Sequence, residues 1–136
     1  MIVIISSFKD LLHAAAEQQE PQRLLFMFAK AELPSGNVLA QNPANENQQA
    51  GELRAVMCVD KLPEEINDFE HLVAESKHTG KTWDVVFVTS MSGKSGVAPS
   101  SDAASRPLDM MVESLRNGNI GNYLAFNQAG ELLQFS

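Results

Sequence analysis

Apolar residues recur along the chain in two rhythms, one helical and one extended. From Ser7 to Gln19 the rhythm is helical, with Phe8, Leu11, Leu12 and Ala15 on one face. Ser7 followed by Asp10 has the Ser-x-x-acid form of a capping box, and Pro21 ends the segment. Met1 to Ile5 ahead of it suits either a short strand or an extension. Arg23 to Ala29 is apolar after its first residue and bounded by Pro21 and Pro34, which predicts a strand covered on both faces. Residues 34 to 51 break the pattern. Seven of these 18 are Asn or Gln and Glu46 is the one charge, so a long polar connection is expected, either mobile or a lid.

Leu53 to Asp60 reads as a second strand. Pro63 then opens a helix, with Glu64 and Glu65 at its positive end and Ile66, Phe69, Leu72, Val73 and Ser76 facing inward. Gly80 is its left-handed stop. Asp84 to Thr89 is β-branched and apolar, the pattern of a central strand. After a loop from Ser90 to about Ser105, Pro107 opens a third helix striped by Leu108, Met111, Val112 and Leu115, ending near Gly118. Tyr123–Phe126 and Glu131–Phe135 flank Asn127-Gln128-Ala129-Gly130, which predicts a terminal hairpin.

The order is α-β-β-α-β-α-β-β, without internal repeats. Strand-helix-strand crossovers from Asp60 to Trp83 and from Thr89 to Tyr123 favour parallel pairing. Doubly apolar strands ask for helices on both faces. The expectation is a single three-layer α/β domain spanning residues 1–136, with a mixed sheet of about five strands, three helices and a C-terminal hairpin.

Composition narrows the function classes. A length of 136 residues suits one domain, and 44% apolar residues can form a core. Ten Lys and Arg against 17 Asp and Glu give a net charge of −7, which disfavours nucleic-acid backbones. The apolar run Met1 to Ile5 is too short for a signal or a membrane span. Cys58 is the one cysteine, which suits a reducing cytoplasm. Set in an apolar strand, it reads as a small hydrophobe.

Parallel strands around Cys58 and Phe87 would bring Asp60, Lys61, Thr89 and Ser90 to one sheet rim, where α/β folds bind ligands. The loop Ser92, Gly93, Lys94, Ser95 and Gly96 leaves from that rim. Its exposed backbone N–H groups and its lysine suit an anion. A phosphate loop is excluded, because the glycine required five residues before Gly93 is Val88. His71, Glu75 and His78 share a helical face, but that face lies opposite the apolar stripe and reads as solvated, so no metal and no cofactor are expected.

Pro21–Phe26, Met57–Lys61, Trp83–Val88 and Ala125–Asn127 together resemble a family of small proteobacterial proteins commonly labelled "ribonucleotide reductase subunit alpha". The resemblance spans most of the chain from Ser6 and varies in the 34–51 stretch. It brings no catalytic motif, and one cysteine cannot supply the radical-forming cysteine and redox pair of a true large subunit. The expected function is therefore a non-catalytic cytoplasmic binding or accessory domain, acting through a protein partner or a small ligand. The alternative is an enzyme or sensor for a small anionic ligand at the rim. The terminal hairpin would leave an edge strand for self-association into a homo-oligomer.

Overall fold

β1 (Gln22–Glu32) has a neighbour on each edge in the computed structural model, which describes residues 5–32 and 52–134. β2 (Glu52–Lys61) pairs with one edge and β3 (Val85–Ser92) with the other, both antiparallel. β4 (Leu124–Asn127) follows β3, and β5 (Leu132–Leu133) closes the order β2-β1-β3-β4-β5. Three helices complete the fold: α1 (Phe8–Ala16), α2 (Phe69–Lys77) and α3 (Ser105–Arg116). The α/β class, the five strands, the three helices and the terminal hairpin thus stand. Asp84–Thr89 falls in β3, the third of five strands. The expected polar connection at 34–51, and all but the last residue of the Met1–Ile5 segment, lie outside the described residues.

The sheet is antiparallel at every pairing, where parallel crossovers were expected. β2 and β3 do run in the same direction, but β1 lies between them. The Thr89–Tyr123 connection returns to an antiparallel neighbour, since β4 pairs with β3. Apolar residues on both faces require cover on both faces, and antiparallel strands can meet that requirement as well as parallel ones.

The cover comes from opposite sides. Leu24, Phe26 and Phe28 of β1 join Phe8, Leu11 and Ala15 of α1, Leu72 of α2, Ile66 and Trp83 in one core. Leu25, Met27 and Ala29 face the other way and join Met111 and Leu115 of α3, Ala104 and Ile120. Every residue from Leu24 to Ala29 is at most 1% exposed. Phe8 meets Phe126 and Phe69 edge-on, with centroids 5.6 and 5.0 Å apart, which fixes α1 over the sheet. Trp83 stacks edge-on against Phe28, and its indole N–H donates to Ser76 Oγ at 2.8 Å. That contact explains why a serine occupies the inward stripe of α2.

Helix boundaries follow their caps. Ser7 Oγ accepts from Asp10 N, as the capping pattern predicts, while the Asp10 carboxylate accepts from Ser6 N and Ser6 Oγ. Pro63 starts only a 3-10 turn, Pro63–Glu65, and α2 begins later because Asp68 accepts from His71 N. Proline and acidic residues suit any first turn, so that pattern could not separate the two starts. At the β2 edge, a bulge opposite Phe28 and Ala29 puts Val56 and Met57 on the same face. Such a bulge interrupts the regular edge that another strand would need.

The central strand gives the first prediction. Phe26→Ala removes a fully buried ring and leaves a cavity, so it should lower unfolding stability by about 3–5 kcal/mol. Urea denaturation followed by Trp83 fluorescence reads this directly. A loss below about 1 kcal/mol would mean that β1 is not packed on this face.

Candidate functional site

The register of β1 sets the rim. Leu25 is paired with Asp60 on one side and Thr89 on the other, while Leu24 is paired with Lys61 and Ser90. The four candidate residues therefore share one level of the sheet, although β1 separates the two strands and β3 runs on past Ser90 to Ser92. Alternation then divides them between faces. Asp60 lies on the α3 face, where Arg23 Nη1 contacts its Oδ2 at 2.5 Å and Ser101 Oγ donates to its Oδ1 at 3.0 Å. Arg23 Nε also donates to the Pro99 carbonyl at 2.6 Å, tying the following loop to the sheet. Lys61 turns to the α2 face and pairs with Glu75 at 2.8 Å. Thr89 is half-buried and Ser90 exposed.

Gly93 to Gly96 forms a tight turn. Lys94 N donates to Val97 O, and Val97 N donates back to Lys94 O. Ser95 and Gly96 both have positive φ, at 53° and 80°, as a two-residue hairpin turn requires. Gly93 is needed for a different reason: a Cβ there would sit 2.0 Å from the Val97 carbonyl oxygen. Its N–H donates to Pro21 O at 2.8 Å, and Ser92 Oγ accepts from Gln22 Nε2. The glycines that suggested a phosphate loop are thus accounted for by turn geometry.

The two successive N–H groups do face an anion, and it belongs to the chain. Gly96 N donates to Glu20 Oε1 at 2.8 Å and Ser95 N to Glu20 Oε2 at 3.2 Å. Lys94 is exposed and has no ion pair among the described residues. Neither Glu20 nor Arg23 was singled out in the sequence. A lone arginine heading an apolar strand was the available signal, since a charge there needs a partner.

Beside the turn lies a groove of about 630 Å³, between the C-terminal end of α1, the start of β1, Leu62-Pro63 and Ala98. Leu12, Ala15, Pro21 and Ile66 line it, together with the carboxylate residues Glu20 and Glu64. A second groove of about 570 Å³ lies across Leu12, lined by Phe8 and Phe69 with Lys9, His13, Asp68 and Glu70.

The remaining candidates have plain surroundings. His71 and His78 are exposed, and Glu75 is engaged by Lys61. Among the described residues no group of three His, Cys, Asp or Glu is placed to hold a metal. Cys58 is half-buried, and burial, with Asp109 nearby, pushes its thiol pKa up, away from the reactive thiolate. No helix among the described residues is long and apolar enough to cross a membrane.

Two measurements check this arrangement. The Lys61 hydrogen bond holds the Glu75 carboxyl below its ordinary pKa; desolvation opposes it, and the charges of Lys61, His71 and His78 add further attraction. A depressed carboxylate stabilises the fold above the unfolded value of about 4.3, and that contribution is lost as pH falls through the lower folded pKa. In Lys61→Met the Glu75 midpoint should rise toward the ordinary value by NMR titration; an unmoved midpoint would mean the pair is not formed. Separately, Glu20→Ala should speed amide exchange at Gly96 by about tenfold, equivalent to ~1.4 kcal/mol. Unchanged exchange would mean that Glu20 does not hold the turn.

Family models, curated proteins and solved structures return no match to this chain, which leaves its function to residues and geometry.

Proposed function

We propose that this chain is a non-catalytic binding or accessory domain. One observation carries the reading: Asp60, Lys61 and the turn's N–H pair are already engaged by other groups of the chain. Asp60 is held by Arg23 and Ser101, Lys61 by Glu75, and the N–H pair of Ser95 and Gly96 by Glu20. A general acid or base needs a group free to reach substrate at a matched pKa. An anion sensor at the turn would have to displace a tethered carboxylate. Cys58, with its raised pKa, is poorly suited to thiol chemistry of the kind implied by the reductase label. The groove beside the turn is within the size range of ligand clefts, about 300–1,000 Å³, and leaves room for binding without chemistry.

A thermal-shift screen against a metabolite library, followed by mass analysis of each stabilising compound, tests the proposal. A ligand at a hundredfold excess over its dissociation constant adds about 2.7 kcal/mol of stability, a readily seen rise in Tm. The expected outcome is a stabilising compound recovered unchanged after prolonged incubation. Conversion of that compound to a product would overturn the non-catalytic reading in favour of an enzyme.

A further inference from the structure

The groove at the end of α1 has a consistent sign. Its lining carries two carboxylates, Glu20 and Glu64, with no Lys, Arg or His. Glu20 is held in place by the amides of Ser95 and Gly96, which fixes one charge at the groove wall. Glu64 is exposed, and its side chain has no ion pair or hydrogen bond among the described residues. Among the cations of neighbouring segments, Lys61 pairs with Glu75 and Arg23 with Asp60, while Lys94 of the turn is exposed and is not part of the lining. The chain's net charge of −7 reinforces the field. Between the carboxylates the lining is aliphatic, supplied by Leu12, Ala15, Leu62, Ile66 and Ala98.

We propose that this groove binds a small organic cation: an ammonium or guanidinium group carried on a short aliphatic chain. The cationic head would meet Glu20 and Glu64, while the methylenes cover the apolar lining, each buried methylene contributing about 0.8 kcal/mol. The inference rests on the binding-domain reading and names its ligand class. The second groove provides an internal contrast. Its lining mixes Lys9 and His13 with Asp68 and Glu70, so it selects neither sign.

The probe is agmatine, which has a guanidinium at one end of a four-carbon chain and an ammonium at the other. Titrating the ¹⁵N-labelled chain at low ionic strength should give saturable amide shifts at Ala16, Gly96 and Ala98. Glu64→Gln should weaken binding about tenfold, or ~1.4 kcal/mol. Glu70→Gln, which removes the same charge beside the second groove, should leave the affinity unchanged. The amide spectrum of each variant reports that it is folded.

Equal weakening in both variants would overturn the proposal, because it would reduce binding to nonspecific attraction by an acidic surface. Shifts confined to other residues, or shifts produced equally by neutral 1,4-butanediol, would also overturn it. So would binding of a lysine-rich peptide at these amides without any binding of agmatine. If agmatine fails while an unconverted screening compound shifts the same amides, only the cation assignment falls. If agmatine binds there and is consumed, the site stands and the non-catalytic reading falls.

Discussion

Burial of β1 on both faces and both edges is the constraint from which the rest follows. Leu24 to Ala29 exclude water almost completely, and their alternation sends Phe26 and Phe28 to one core and Leu25 and Met27 to the other. Such a strand needs helices above and below and a partner on each side. α1 with α2, α3, β2 and β3 meet those four requirements. Because both partner strands run against β1, they approach the same end of the sheet, β2 ending opposite Leu24 and β3 two residues further on, opposite Gln22. The rim is therefore a product of core packing.

What happens at that rim follows from the cost of leaving polar groups unpaired where the sheet meets its loops. Asp60 and Lys61 are adjacent in sequence but emerge on opposite faces, so each finds its own counter-charge. The Asp60–Arg23 pair also anchors the loop through Pro99 and Ser101. A left-handed pair of residues in the 93–96 turn aims two N–H groups at one point, and Glu20 fills it. The residues that looked most like a ligand site largely serve to hold the fold's own connections. The groove left beside them carries charge of the opposite sign from the one the loop suggested.

Much of the architecture was legible because apolar periodicity reports burial. The stripes of all three helices, the doubly covered strand at Arg23–Ala29 and the hairpin at Asn127–Gly130 are each visible that way. Gly130 takes the positive φ that its place in the turn requires. Strand direction was not legible, since a doubly apolar strand carries no mark of which way its neighbour runs. The start of α2 was missed because Pro63, Glu64 and Glu65 suit a 3-10 turn as well as an α-helix, while the cap itself is Asp68. At the site, the shared level of Asp60 and Thr89 was expected from direct parallel pairing of their strands, whereas the structure reaches it through β1, antiparallel to both. Glu20 was not legible, because its contact with Gly96 joins residues far apart in the chain and depends on the turn's handedness.

Backbone NOEs across β1 test the account most directly, because every statement about the rim depends on that strand's two registers. The account predicts cross-strand contacts from Leu25 to both Asp60 and Thr89, and from Met27 to both Cys58 and Phe87. Direct backbone contacts between the Cys58 and Phe87 strands, with β1 displaced to an edge, would contradict it.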